Sequence, residues 1–310
     1  ATRRVEGQPV DHGVAYLHGR SERFRSELDA LGGEPKVEAW PRSREGNGLP
    51  CQPESFEVGA VRIAPGAGVS QFAKHLARGL DIRLGSDVVA LRPVPPVGPV
   101  AGWELALASG ETLRTRTVAL TMPPPSTIRL LRDLAPLPKE VATLLPVLEL
   151  VRTLPCLTLI ARYPEGVAPP AWEASLPAAS PFIHTILHDS SKRAGSPRLM
   201  LVVQARPRFS REMLDEPAER WTRTLLAEAA ALHGDWAAKP ELVQPHVWRH
   251  ARVDSPSRLA APILVRLEGG AALGLAGDGF HPAGGVEGAY LSGLGLADRL
   301  MKATPKPDAK

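Results

Sequence analysis

The chain has 310 residues, 44% of them apolar and 23% charged, the balance of a soluble globular protein long enough to fill two lobes. Its net charge of +4 comes from arginines scattered along the sequence, without a dense basic block interleaved with aromatics, so no nucleic acid partner is expected. No uninterrupted apolar run approaches the roughly 20 residues of a membrane span, and Cys51 and Cys156 stand far apart without metal spacing, which predicts reduced thiols and a cytoplasmic protein.

In chain order, Thr2-Arg3-Arg4 leads to Asp11-His12-Gly13-Val14-Ala15-Tyr16, a strand edge and turn. Residues 20–50 are polar and punctuated by Pro and Gly; within them 21–31 reads as a short helix and 40–50 as a loop. At Pro65-Gly66-Ala67-Gly68 the signal sharpens. Val69, Phe72, Ala73, Leu76, Ala77 and Leu80 recur at helical spacing behind a glycine turn, which predicts an amphipathic helix. Residues 82–84 and 87–91 read as strands, 103–108 alternates as a strand, and 112–122 continues as one. Pro123-Pro124-Pro125 cannot donate to a ladder and takes the chain out of the sheet.

Beyond the prolines, helices are predicted at 126–134 and 139–150 and strands at 153–163, 182–188 and 198–205. Residues 217–232 form a helix with Pro217 at its first turn and Trp221, Leu225, Ala229 and Leu232 along one side. A last extended stretch, 241–253, holds Val247-Trp248-Arg249-His250-Ala251. His184/His188 and His246/His250 are each four apart, but along a strand four residues span roughly 13 Å, so no metal site is expected. Asp189-Ser190-Ser191-Lys192 reads as a solvated turn. Neither a GxSxG elbow nor a GxxxxGK[ST] loop occurs, which leaves hydroxyl-nucleophile and phosphoryl-transfer chemistry without support.

The most informative stretch lies near the end. The apolar run 272–276 stops at Gly277-Asp278-Gly279, and after a loop holding Gly284 and Gly285 a helical pattern begins at Val286. Strand, glycine turn and helix start together aim backbone N–H groups at an anion. Asp278, between two glycines, offers a carboxylate to a hydroxyl. Gly288, Ser292 and Gly295 fall on one helix face. Glycine inside a helix costs roughly 1 kcal/mol relative to Ala, so this smooth face implies close packing on a sheet or a ligand.

The segment 275–294, LAGDGFHPAGGVEGAYLSGL, resembles the carboxy-terminal flavin-binding motif of FAD-dependent amine oxidase-like proteins, most closely the renalase-like branch. Thr2-Arg3-Arg4 and the stretch from Asp11 to Tyr16 resemble two further elements of that branch. Residues 65–66 resemble its PGM-like turn, and 247–251 its Trp-Arg-Tyr-Ala segment, with His250 in place of Tyr. The resemblance implies FAD as cofactor, held by Arg3, Arg4, Asp11, His12, Gly13, Pro65, Gly66, Val88, Val89, Gly277, Asp278, Gly279, Val286, Glu287, Gly288 and Ala289. Within that set, Val88 and Val89 bracket the adenine or are plain core valines. His12 tunes the isoalloxazine or meets substrate, or else bonds a loop carbonyl. His12 and Trp248 are the candidates for catalysis, Tyr16 and Trp248 for pocket walls, and Arg162, Arg206 or Arg249 for a nicotinamide-type substrate.

The implied fold is α/β. A Rossmann-like FAD-binding lobe is built discontinuously from 1–20, 55–125 and 262–303, and a mainly antiparallel α+β substrate lobe of 126–261, with about 21–54, is inserted into it; 304–310 is a disordered tail. In the renalase-like branch a GxGxxG βαβ unit of about 30 residues precedes the Thr-Arg-Arg element. The sequence reads as lacking that unit, as a fragment or a sequence begun downstream of its true start. The implied activity is hydride transfer from a small reduced substrate, an amine or a dihydronicotinamide-type compound, to flavin, with reoxidation by molecular oxygen. Substrate and oxygen are then the partners, without nucleic acid or membrane. The competing reading is a flavin-free, non-catalytic binding protein or an inactive fragment.

Overall fold

Leu157, Leu159 and Ala161 of the strand Thr153–Arg162 turn to one side, Thr158 and Ile160 turn to the other, and all five are buried. A strand buried on both faces belongs inside a sheet. It is the second of six strands, in the order 242–253, 153–162, 200–205, 183–188, 174–175 and 44–45. The computed structural model describes residues 1–32, 35–94 and 102–303, and the chain divides into two compact units: residues 1–80 with 154–251, and 81–153 with 252–310.

In the first unit the two faces of this sheet bury different partners. Leu157, Leu159, Leu201, Val203 and Ala205 pack with Trp221, Leu225 and Ala229, which recur every four residues along the helix Ala218–His233. Ile160, Met200 and Val202 pack instead with Trp40, Ala64 and with Val5 and Val10 of the hairpin formed by Thr2–Val5 and Gln8–Asp11. A smaller sheet, with Val61–Pro65 between Leu17–Gly19 and Lys36–Glu38, leads through Gly66 into the helix Ser70–Leu76. Ser21 caps the helix Glu22–Asp29 by accepting the Phe24 N–H.

In the second unit Thr117–Leu120 pairs in parallel with Ala272–Leu275, and Ile263–Arg266 pairs antiparallel on the other side. A meander of Val88–Val94, Gly102–Leu107 and Thr112–Thr115 and the helix Pro124–Arg132 close the core around Leu91, Trp103, Leu131, Leu273 and Leu275. Trp103 Nε1 donates to the Ala272 carbonyl at 2.8 Å, satisfying its one polar atom in an otherwise apolar environment. The carboxy-terminal helix Gly285–Ala303 lies close upon the strand. A Cβ on Gly274 would meet two methyls of Leu296 at 2.8 Å.

Several expectations change. Residues 82–84 form no strand, and Ile82 and Leu84 stand exposed. The helix from Ser70 ends at Leu76, before Gly79 turns the chain at φ +78. The region 139–150 divides into Lys139–Ala142 and Leu145–Glu149, because Pro146 fits a first turn and not a helix interior. The turn Asp189–Lys192 is not solvated: Asp189, Ser190 and Lys192 are all buried. The tail 304–310 lies outside the described residues.

Candidate functional sites in the two units

In the second unit the strand–turn–helix is held by Ser292, fully buried on the helix. Its hydroxyl accepts the Gly277 N–H at 2.9 Å and lies 2.8 Å from the Gly277 carbonyl oxygen. Gly277 takes φ +144, a conformation closed to most side chains. A Cβ on Gly295 would sit 3.3 Å from Pro262, and one on Gly279 would sit 3.2 Å from Val151 and 3.3 Å from Val253. Close packing therefore accounts for Gly295 on this helix face and for the second glycine of the turn.

Asp278 is half-buried. Burial pushes its carboxyl above the usual range, against the opposing influence of the backbone N–H groups of Val253, Asp278 and Gly279 and of the Arg258 guanidinium. Arg258 is threaded through the loop before the helix. Its Nη1 donates to the carbonyls of Pro282 at 3.0 Å and Ala283 at 3.4 Å, and its Nε is buried without a hydrogen-bond partner among the described residues. Gly284, at φ +59, makes room for it: a Cβ there would stand 2.2 Å from the guanidinium carbon. The Gly288 N–H bonds back to the Gly284 carbonyl at 2.7 Å, and the N–H groups of the first turn, through Val286 and Glu287, have no acceptor within the helix. Glu287 and Gly288 are buried, whereas Val286 and Ala289 are half-buried. Together these groups offer a cation, a helix start and a carboxylate to an oxygen-rich ligand.

Elsewhere in this unit, Val88 packs partly against the core, and Val89 is 52% exposed where the register with Gly102–Leu107 shifts between Val88 and Ala90. The bulge turns Val89 outward.

In the first unit the strand Leu242–Val253 brings Gln244, His246 and Trp248 to one face by period-two alternation, while Val243 and Val247 pack with the core on the opposite face. The amino-terminal hairpin meets the polar side. Arg3 Nη2 approaches His246 Nδ1 at 3.2 Å and Nη1 reaches Gln244 Oε1 at 3.5 Å. The rings of His12, His246 and Trp248 cluster, with centroids 4.3 to 5.1 Å apart. Trp248 Nε1 donates to the His12 carbonyl at 3.2 Å, and Gln204 Nε2 donates to the Gly13 carbonyl at 2.7 Å. Gly13 permits this contact, since a Cβ there would lie 3.1 Å from the Trp248 ring.

His12 is 4% exposed. Burial above all, then His246 and Arg3, lower its pKa to about 4, although the ring bonds the Val10 backbone. Its Nδ1 is buried with no partner among the described residues. Burial likewise lowers His246, reinforced by Arg3. Both imidazoles are neutral near pH 7.

The remaining expected residues serve internal contacts. Asp11 is fully buried; its carboxylate accepts from the Thr2 hydroxyl at 2.6 Å, the Val69 N–H at 3.0 Å and Lys192 Nζ at 3.0 Å. Arg4 is exposed and donates to the Gly7 carbonyl at 2.9 Å within its own hairpin. Pro65 is buried, and Gly66 exchanges bonds with the Pro35 carbonyl at 2.7 Å and Arg193 Nε at 2.8 Å. Tyr16 bonds Ser55 at 3.1 Å and packs edge-on against Trp40. Arg162 pairs with Glu6 and Glu241, Arg206 donates to three carbonyls at 177–180, and Arg249 pairs with Asp215 at the surface. None of these three guanidiniums is without a partner. No group of three or more His, Cys, Asp or Glu among the described residues could hold a metal ion.

Arg258 carries no sequence signal of its own, and the part played by Lys192 is settled by contacts 181 residues away at Asp11.

The sequence profile of flavin-containing amine oxidoreductases matches residues 21–301. No curated protein sequence is significantly similar to the chain. Among solved structures, a protein assigned as a protoporphyrinogen oxidase from Exiguobacterium sp. 255-15 is similar at 16% identity and a TM-score of 0.57, over 78% of this chain and 53% of that one. Putrescine oxidase bound to putrescine is similar at 15% identity and a TM-score of 0.56, over 80% and 55% respectively. Cyclohexylamine oxidase from Brevibacterium oxydans IH-35A is similar at 15% identity and a TM-score of 0.55, over 79% and 55%. At such identities the likeness is one of fold, a mixed α/β architecture, and the chain spans about half the length of these structures.

Proposed function

The chain belongs to the flavin-containing amine oxidoreductases, a family whose cofactor is FAD, and from that premise we propose that it is an FAD-dependent oxidoreductase of the renalase-like branch acting on a small reduced substrate. The observation that carries this reading is the buried Arg258 Nε without a partner, beside the start of a 19-residue helix and the Asp278 carboxyl. A phosphate answers the Arg258 guanidinium, whose Nε is buried without a partner among the described residues, and a ribityl hydroxyl answers the carboxylate, so the residues present fit this group. When bound, FAD supplies the redox chemistry, accepting a hydride from the substrate and returning the electrons to molecular oxygen.

In this proposal the protein's own groups bind and orient. Arg258 and the N–H groups of Val286 and Glu287 hold phosphate oxygens, Asp278 accepts from a hydroxyl, and Ser292 fixes the turn that presents Asp278. His12, Gly13 and Trp248 form a wall toward the substrate, with Asp11 holding that wall in place from behind. His12, neutral near pH 7, offers Nδ1 as a proton acceptor for a substrate N–H. Cys51 and Cys156, far apart in the sequence and without metal spacing, support a cytoplasmic setting. No helix among the described residues is long and apolar enough to cross a membrane.

Mixing the FAD-loaded protein anaerobically with a panel of amines and dihydronicotinamides tests the proposal. Bleaching of the flavin band by one class, and peroxide release when air is readmitted, is the expected result. A loaded protein bleached by dithionite but by no member of either class would contradict it.

A further inference from the structure

Arg3 is half-buried and makes no ion pair among the described residues. Elsewhere in its unit Arg42 pairs with Glu173, Arg162 with Glu6 and Glu241, Arg193 with Asp189, and Arg198 with Glu241. Its neighbours are neutral: the Gln244 amide oxygen and the His246 ring. Because His246 Nδ1 receives the guanidinium, its proton sits on Nε2, which is left as a second donor. Beside them, 96% buried, His12 Nδ1 stands as an acceptor with no donor, and the Trp248 ring supplies a flat apolar wall. The Asp11 carboxylate of the same hairpin is closed off by Thr2, Val69 and Lys192.

Resting on the flavin reading above, we propose that this end of the sheet selects a planar substrate that carries a carboxylate beside an N–H group, and rejects cationic alkylamines. The carboxylate meets Arg3 and the His246 Nε2–H, the substrate N–H donates to His12 Nδ1, and the ring lies along Trp248. A protonated amine meets the opposite pattern, a cation and two neutral imidazoles without a carboxylate to balance it. The preference is one of charge sign, set by the Arg3 guanidinium, which has no ion pair among the described residues.

Calorimetric binding of three probes tests this, each measured with the FAD-loaded and the flavin-free protein: benzoate, 2-aminobenzoate and benzylamine. The expected result is that both carboxylates bind at least about tenfold more tightly than benzylamine and that Arg3→Met removes this advantage, while Arg3→Lys keeps part of it. His12→Phe is expected to abolish the margin of 2-aminobenzoate over benzoate. Equal or tighter binding of benzylamine, carboxylate binding indifferent to Arg3→Met, or no binding of any probe to either form would overturn the proposal. If Arg3→Met instead lowers flavin retention and leaves benzoate binding intact, Arg3 holds the cofactor's phosphates and the proposal also falls. Failure of the flavin reading is distinguishable, because it appears as a colourless protein whatever the probes do.

Discussion

Lys192 Nζ lies 3.0 Å from Asp11 Oδ2, and both side chains are fully buried. Asp189 accepts from the same ammonium at 2.6 Å, Arg193 contacts both carboxylates, and the Trp40 face lies 4.5 Å from Nζ. Two acids and two bases thus make a neutral quartet inside the first unit. Asp11 also takes the Val69 N–H, and Thr2 Oγ1 takes the Ser70 N–H at 3.1 Å, so the helix Ser70–Leu76 is capped from the amino-terminal hairpin.

Lys192→Met leaves two buried carboxylates with Arg193 as their remaining cation, and is expected to lower the unfolding free energy by about 3–5 kcal/mol. Urea unfolding measures it. Arg208→Ala, which removes an exposed pair with Glu212, is expected to cost less than about 1 kcal/mol.

Stability is expected to fall as pH drops from about 6.5 toward 4. The folded protein holds His12 at about 4, below the ordinary histidine value near 6.5, so the unfolded chain takes up the proton first and acid favours unfolding. The contribution of His12 is present above that window and lost through it. His12→Gln does not titrate and should flatten the slope of urea midpoint against pH. Part of the slope remains, because burial also lowers His188, His233, His246 and His250. Asp11 acts at lower pH. Burial would raise it, but Lys192, the Thr2 hydroxyl and the Val69 N–H hold it below the usual value; its contribution, complete above about pH 4, disappears as pH falls through its folded pKa.

Gly284→Ala places a methyl on the Arg258 guanidinium at a position with φ +59. We expect about 1 kcal/mol of lost stability from the backbone alone, and a loss of FAD affinity of about tenfold as Arg258 is displaced. Arg258→Met should give a similar affinity loss, and the double variant little more than either, because both act on one contact. Fluorescence titration with FAD reads all three.

Gly274→Ala drives a methyl against buried Leu296 and is expected to cost about 1–3 kcal/mol. Gly293→Ala, on the same helix as Leu296, meets nothing within 4 Å and is expected to gain about 0.5–1 kcal/mol from helix propensity. Thermal unfolding of the pair separates packing from propensity.

Much of the architecture is legible in local pattern. The strands near 153–162 and 200–205, the four-residue recurrence of Trp221, Leu225 and Ala229, and the helix near 22–29 each follow from local pattern. Errors arise where a pattern lacks its partner: Ile82 and Leu84 alternate like a strand but pair with none among the described residues. The glycine-rich turn is legible because its geometry is sequential, from Gly277 to Ser292. Arg258 is not, since it reaches that loop from 24 residues away across unrelated pattern, and the Asp189–Lys192 turn looks polar until Asp11 is brought to it. Gln244, His246 and Trp248 become a site once the strand and the hairpin facing it are known.

The most direct test is the visible absorption spectrum of the protein after incubation with FAD and gel filtration, compared with Asp278→Ala. A yellow wild-type protein near one flavin per chain, and a variant that loses most of its colour while unfolding at the same urea concentration, is the predicted result. A colourless wild-type protein, or a variant that keeps as much flavin, would contradict the assignment of Asp278 and its turn to the cofactor.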